Sequence, residues 1–225
     1  MGGRLFLGNQ MISPVIIQGE ENPILTLKKG VLTKNFGDTS GISFPGIVEV
    51  GPAALAYGYE NYQLQYGEGD TFLLNGVVSF PDLVKIGQKG LFGCFESQYL
   101  ITGCEFPKLE EIGLSGMESA FSENGGSLGG GKYVFPKLKK IGSSGLNYCF
   151  GYIINSVFIF PSLGTDLSQV ASNCFYYMLH TGRNNFVYFP SSTEQTIGSW
   201  SDVINGFNGR DTTVIFWIPT EITIN

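Results

Sequence analysis

The chain has 225 residues, of which 43% are hydrophobic and only 14% are charged, and its formal net charge is −6. This length and apolar content allow a substantial buried core. The acidic balance and the absence of a Lys/Arg block argue against nucleic acid as a partner, because phosphate binding needs a concentrated basic face. No apolar run reaches the roughly 18 residues that a membrane span requires, so we expect none.

Residues 1–40 precede the repeated pattern that fills the rest of the chain. The stretch 5–17 has the composition of two short strands around a turn. A solenoid needs a segment that covers its first coil, so we predict an N-terminal β cap here, or an attachment segment. The apolar stretch at the start is too short for a secretory signal peptide, which leaves the localisation open.

From residue 41 onward one phrase, Phe-Pro-X-Leu-X-X-Ile-Gly, recurs. It is complete at Phe80, Phe106 and Phe135. Degraded copies begin at Phe44, Phe160, Phe189 and Ile218. Successive copies start 25 to 36 residues apart, a spacing typical of a solenoid that stacks one supersecondary unit repeatedly. We assign residues 41–225 to this solenoid, including a C-terminal cap.

Each repeat divides into three parts. A short strand ends at the Phe, because the following Pro cannot donate to a sheet ladder. A turn follows with apolar residues at fixed positions, and its glycine, Gly87 in one copy, is expected to adopt a backbone angle that other residues avoid. A helical turn comes third, in which Leu91, Cys94 and Phe95 share one face. Asp166 interrupts the pattern and predicts one distorted coil. The fold class is therefore an α/β, β-rich solenoid of six to seven repeats.

The four cysteines invite a metal or disulfide interpretation, which the repeat disfavours. Cys94, Cys149 and Cys174 each follow the Phe of their repeat by 14 residues, where another copy has Ala120. Cys104 occupies a position that is apolar in other copies. Positions shared with apolar residues predict buried thiols that fill the core.

Segments such as Phe135–Gly142, followed by Gly145–Phe150, resemble the BspA-like leucine-rich repeats of bacterial surface proteins. The resemblance covers about residues 42–219 and is best in the three central copies, although Gly-Leu or Gly-Met replaces the usual Ala-Phe pair. It implies a right-handed leucine-rich-repeat coil. It also implies a non-enzymatic binding or adhesion module that is displayed at the cell surface or secreted. Over a short stretch, residues 1–40 also resemble openings of phage structural proteins. The alternative is therefore a tail-associated, receptor-binding component of a phage particle.

The strands offer a candidate binding face. Side chains alternate across a strand, so residues one and three before the Phe point outward. In the C-terminal copies this outward set is apolar or aromatic: Val157, Ile159, Phe186, Tyr188, Ile215 and Trp217. We predict that it binds a protein or glycan ligand, or a second copy of the chain in a homo-oligomer. Coverage by the tail or a neighbouring domain is the competing interpretation.

A second candidate is the tyrosine-rich stretch in the longest gap between copies, with Tyr57, Tyr59, Tyr62 and Tyr66. Tyrosine-rich loops suit recognition, because the ring is large, rigid and amphipathic. A loop packed over the first coils explains them equally well.

Nothing in the sequence points to catalysis. His180 is the single histidine, and no paired carboxylates recur at a fixed spacing. Since no nucleophile and base can be nominated, we expect a protein that is not an enzyme and that needs no cofactor or metal.

Overall fold

The structure is a computed structural model. It describes residues 15–17, 42–58, 75–98, 100–122, 131–163, 167–171, 173–180, 182–190 and 213–216. These ranges contain the following strands and one 3-10 turn, Leu167–Gln169: β1 (Val15–Ile17), β2 (Ile42–Ser43), β3 (Ile47–Val50), β4 (Asn75–Ser79), β5 (Lys85–Ile86), β6 (Leu100–Glu105), β7 (Glu111–Ile112), β8 (Lys132–Val134), β9 (Lys140–Ile141), β10 (Val157–Ile159), β11 (Phe186–Phe189) and β12 (Thr213–Phe216).

The strands form three sheets in which every paired neighbour is parallel. The lateral sheet has the order β1-β3-β5-β7-β9, the N-terminal sheet β2-β4-β6, and the C-terminal sheet β8-β10-β11-β12. Neighbouring strands of one sheet are separated in sequence by one coil of the chain. The predicted solenoid is therefore confirmed, in the form of a parallel, strand-rich β-solenoid.

The solenoid has about four turns, fewer than the six to seven predicted repeats. The copies that start at Phe44, Phe80, Phe106 and Phe135 each contribute one strand to the lateral sheet and one to another sheet. Among the described residues of the next copy, β10 is followed by the 3-10 turn and by an isolated bridge from Val170 to the lateral sheet. This irregular geometry agrees with the distortion that the sequence predicted for that coil.

The predicted helical turns are not helical in the structure. In the segment 88–97, the amide of Leu91 donates to the Gly116 carbonyl of the next coil at 2.8 Å. The amide of Cys94 instead donates to the carbonyl of Leu91, three residues back, at 3.1 Å. An α-helix would use the carbonyl four residues back for every amide. The side chains of Leu91, Cys94 and Phe95 are nevertheless all buried, because consecutive turns also place them on one side.

Positive φ angles in these turn segments fall on residues other than the glycine of the phrase. They recur at equal positions of successive coils, in Ala53, Lys89, Ser115 and Ser144, and again in Tyr57, Gly93, Ser119 and Tyr148. Positive φ is not found at Gly87, Gly113 or Gly142, so the expectation that this glycine adopts an unusual backbone angle is wrong. Their requirement is space: a Cβ on Gly142 would lie 2.8 Å from the backbone carbon of Gly113.

The core is built from side chains that stack on their equivalents in the next coil. Consecutive phenylalanines of the repeated phrase have ring centroids 4.5 to 6.0 Å apart and nearly parallel planes. The members of this phenylalanine ladder are Phe44, Phe80, Phe106, Phe135, Phe160 and Phe189. Stacked pairs of this kind contribute about 0.5–1.5 kcal/mol each beyond their buried area.

The outer surface of the Phe-Pro turns carries opposite charges at equal positions of adjacent coils. Four lysine ammonium groups each pair with a carboxylate one coil away: Lys85 with Glu49 (3.8 Å), Lys108 with Asp82 (2.7 Å), Lys139 with Glu110 (3.5 Å) and Lys140 with Glu111 (2.8 Å). These pairs are largely exposed, so each stabilises the fold by about 1 kcal/mol at most. They satisfy the charge of these lysines within the protein.

Candidate functional site

The predicted alternation of side chains is present in the strands of the C-terminal sheet. In β10, Phe158 is fully buried, whereas Val157 and Ile159 on either side are half-buried. In β11, Val187 is buried and Phe186 is 44% exposed. The outward side chains of these strands therefore form a surface rather than part of the core.

Parallel pairing arranges the outward residues in two rows. Lys132, Val157 and Phe186 lie opposite one another on β8, β10 and β11. The second row joins Val134, Ile159 and Tyr188 in the same way. Neighbouring strands lie about 4.8 Å apart, so each row spans roughly 10 Å. We call the surface formed by these residues the C-terminal strand face: Lys132, Val134, Val157, Ile159, Phe186 and Tyr188.

The last strand joins this sheet in a register different from the predicted one. In the structure, Tyr188 pairs with Ile215 and Phe189 with Phe216. The sequence alignment of Ile218 with Phe189 predicts Ile215 opposite Phe186 instead. The backbone equivalent of Phe189 is thus two residues earlier than predicted. A shift of two residues keeps the same alternation, because the strand period is two. Ile215 consequently lies in the row of Tyr188, and Trp217 lies outside the described residues.

The face rests on a stacked, buried layer. The ring of Phe158 stacks on that of Tyr133, with centroids 5.0 Å apart, and it also contacts Phe150 at 5.0 Å. Phe189 stacks on Phe160 at 5.4 Å. Because these rings are almost completely buried, the backbone that carries the outward side chains is held on a close-packed support.

One end of the face is fixed by a buried polar network that precedes β10 and β11. The Oδ1 atom of Asn185 accepts the Ser156 amide at 3.0 Å, and its Nδ2 atom donates to the Ile153 carbonyl at 2.9 Å. The Ser156 hydroxyl accepts the Gly131 amide at 3.3 Å. Asn185 and Ser156 are both fully buried. These bonds join the starts of three strands, which fixes where the face begins.

An exposed pair of asparagines borders the face at this end, and sequence reasoning missed it. The Nδ2 atom of Asn184 donates to Oδ1 of Asn155 at 3.1 Å. Both residues have a positive φ, 54° and 51° respectively, a conformation that Asn tolerates better than most residues. Their spacing in the sequence could have indicated the pair. Asn184 stands two residues before Phe186, and Asn155 stands two residues before Val157 in the preceding coil.

Of the tyrosine-rich stretch, the structure describes Tyr57 alone. Its side chain is 52% exposed, and its ring packs edge-on against Phe92 at 5.1 Å. A Cβ on Gly93 would lie 2.7 Å from the same ring, so Tyr57 covers a glycine of the next coil. Tyr59, Tyr62 and Tyr66 lie outside the described residues. The recognition loop therefore stays a prediction.

All four cysteines are buried thiols, as predicted. Burial raises the pKa of Cys104, Cys149 and Cys174 well above the usual thiol range. The predicted equivalence of Cys174 with Cys94 and Cys149 is wrong, however. Its carbonyl accepts the Leu146 amide, a role that the Gly145 carbonyl has for the preceding coil. Cys174 thus replaces a glycine in its distorted coil and does not stack in the position of Cys149.

The described residues contain no cluster of three or more His, Cys, Asp or Glu side chains suited to a metal ion. His180 packs against both Tyr148 and Tyr177, with its ring centroid 5.2 Å from each. Among the same residues, none belongs to a helix with the length and apolar character of a membrane span. These observations leave the C-terminal strand face as the best-defined candidate site.

The chain was compared with protein-family models, with curated proteins and with solved structures, and none of the three comparisons found a match. The relationship to BspA-like repeats therefore stays a prediction from the repeat pattern.

Proposed function

We propose that this chain is a non-enzymatic binding or adhesion module of the BspA-like leucine-rich-repeat type, which recognises a protein or glycan through its C-terminal strand face. The single observation that carries the proposal is the pair of outward rows on β8, β10 and β11. Apart from Lys132 on β8, their side chains are apolar or aromatic, and they lie in register over a packed support.

Two of the outward side chains are exposed to solvent on strands of one sheet. Phe186 is 44% exposed and Val134 is 37% exposed, so neither contributes its full apolar area to the core. Contiguous exposed apolar surface on a soluble protein commonly marks an interaction site. Aromatic residues in particular are enriched where proteins bind their partners.

The equivalent surface of the N-terminal sheet lacks this character. Its outward residues are Val77 opposite Gly103 and Ser79 opposite Glu105. The same backbone architecture therefore carries a small and polar surface in one half and an apolar surface in the other. A binding role accounts for this difference, since the architecture itself does not demand it.

The proposal is tested by screening the full chain against glycan and protein arrays and then measuring affinities for variants. The double variant Phe186→Ser/Tyr188→Ser should lose about tenfold or more in affinity, since a buried aromatic anchor commonly contributes 2 kcal/mol or more, roughly a factor of 30. Leu114→Ser and Tyr176→Ser are the controls, because these exposed side chains lie on turn segments away from the face.

Equal losses in the control variants would refute the assignment of the site. Unfolding of the double variant would instead support a cap that covers the face. The genomic neighbourhood adds an independent test of the biological setting. Phage tail genes beside the coding gene would favour the phage alternative, and an upstream secretion signal or wall anchor would favour the bacterial surface.

A further inference from the structure

We infer that the ligand of the C-terminal strand face is an anionic glycan, which bears carboxylate or sulfate groups. This inference rests on the proposed function and specifies its ligand class. It depends on three features that meet at one end of the face: two cationic side chains, an exposed pair of amides and an exposed aromatic ring.

The cations are Lys132 and Arg183, which are both exposed. Lys132 lies in the same row as Val157 and Phe186. Arg183 pairs with Ile154 in an isolated bridge just before β10 and β11, and its carbonyl accepts the Asn155 amide at 2.9 Å. Both cations therefore lie at the end of the face where its strands begin. Lys132 is the first residue of β8, and Arg183 precedes β11.

These two cations differ from four of the lysines on the Phe-Pro turns, each of which has a carboxylate partner in the adjacent coil at 2.7 to 3.8 Å. Lys137, on the same surface, has no such partner among the described residues, so it provides a matched control. Within the part of the chain that the structure describes, neither Lys132 nor Arg183 has such a partner. In a protein of net charge −6, two cations without partners beside an apolar face offer a complementary site for a negatively charged group.

The amide pair supplies the chemistry that hydroxyl groups need. The bond between Asn184 and Asn155 uses one donor of the first and one acceptor of the second. An amide side chain has two donor hydrogens and an acceptor oxygen, so the exposed pair retains both kinds of group. A sugar hydroxyl both donates and accepts, and thus suits such a pair better than an apolar peptide side chain does.

The aromatic ring completes an amphipathic surface. Phe186 is the first residue of β11 and follows Asn184 by two residues, so the ring and the amide pair border the same end of the face. A sugar ring has apolar C–H faces and polar edges, and it can contact Phe186 and Val157 while its hydroxyls reach the amides. Two cations are too few for a nucleic acid, which needs many phosphate contacts, but they match one or two acidic groups on a glycan.

The test uses calorimetric titration of the full chain with acidic oligosaccharides and their neutral counterparts. The pairs are tetragalacturonate and its methyl ester, 3′-sialyllactose and lactose, and a heparin tetrasaccharide and its desulfated form. We expect at least one acidic probe to bind about tenfold more tightly than its counterpart, and to weaken as salt is raised. Lys132→Gln or Arg183→Gln should each reduce that affinity about tenfold, since a hydrogen bond to a charged group is typically worth that much.

Lys137→Gln is the matched control, because Lys137 is an exposed lysine on a Phe-Pro turn. The affinity of this variant for the acidic probe should differ from that of the unchanged protein by less than about twofold. Equal binding of a neutral counterpart, an equal effect of Lys137→Gln, or binding by no acidic probe would overturn the inference. If a protein or neutral glycan binds and Phe186→Ser/Tyr188→Ser abolishes that binding, the proposed function stands without the inference. If every bound ligand is insensitive to that double variant, both fail.

Discussion

The N-terminal and C-terminal sheets share one interior and differ in their exteriors. Inside, the phenylalanine ladder runs through both, and it crosses from Phe106 to Phe135 with a ring separation of 6.0 Å. Outside, Ser79 and Glu105 occupy the positions that Ile159 and Tyr188 occupy in the other sheet. Stacking constrains each inward position to match its neighbours, whereas an outward position is free to vary. Specificity in this solenoid is therefore to be sought in the outward rows.

Strand pairing between the two halves is interrupted on one side of the solenoid and continuous on the other. β6 and β8 belong to different sheets, while β7 and β9 remain paired in the lateral sheet. The step from Phe106 to Phe135 is the widest of the ladder. The lateral sheet and the core thus hold together two halves whose outer surfaces differ.

The largest expected effect contrasts the shared interior with the variable exterior. Phe106→Ala should lower the free energy of unfolding by about 3–5 kcal/mol, because it removes a ring that stacks on both Phe80 and Phe135. Phe186→Ala, on the exposed face, should cost less than about 1 kcal/mol. Urea denaturation measures both, and Phe106→Leu provides a milder interior variant. Similar costs at the two sites would contradict the division between interior and exterior.

Two adjacent asparagines sharpen the contrast between support and surface. Asn185→Ala should cost about 2–3 kcal/mol, because the Ser156 amide and the Ile153 carbonyl lose their partner in a buried site. Asn184→Ala removes only an exposed amide bond and should cost less than about 0.5 kcal/mol. The shift in thermal midpoint distinguishes them. An equal shift would mean that the buried network does not fix the start of the face.

The close approach of neighbouring coils can be tested with glycines. Gly142→Ala should destabilise the protein by about 1–2 kcal/mol, because the new methyl group would meet the backbone of Gly113 and Leu114 at 2.8 Å. Gly103→Ala should be neutral or slightly stabilising, since the nearest atom to its Cβ is a Val77 methyl group at 3.6 Å. Denaturation midpoints compare the two. Tolerance of Gly142→Ala would show that the coils can separate at little cost.

The smallest effect concerns the charges between coils. The Lys108 ammonium group and the Gly46 amide lower the pKa of Asp82 below its ordinary value of 3.8. A lowered pKa stabilises the fold above pH 4 and loses this effect as the pH falls through the folded-state pKa. Asp82→Asn should therefore cost about 0.5 kcal/mol at pH 7 and progressively less as the pH falls below 4. Thermal midpoints of both proteins across this range check the sign, and a difference that grows on acidification would contradict it.

The sequence predicted those parts of the fold that depend on equal positions in successive coils. The phenylalanine ladder follows from the repeated phrase, and the exposure of Phe186 follows from the alternation that the phrase sets. Each of these features needs only the correct alignment of neighbouring copies.

Other features depend on local geometry that the pattern does not specify. Burial of Leu91, Cys94 and Phe95 fits a helical turn as well as a chain of turns, so the conformation could not be predicted from it. The role of Gly142 comes from a neighbouring coil rather than from its own φ. The asparagine pair at Asn155 and Asn184 was missed because its exposure depends on a bend that precedes each strand.

The central claim, that the C-terminal strand face is the binding surface, is tested most directly by methyl NMR of the labelled protein. The ligand is the glycan or protein that binds most tightly in the array screen. We expect its addition to shift the methyl signals of Val134, Val157 and Ile159, and to leave those of the exposed Val84 and Leu114 unchanged. Shifts confined to Val84 or Leu114, with none on the face, would contradict the claim.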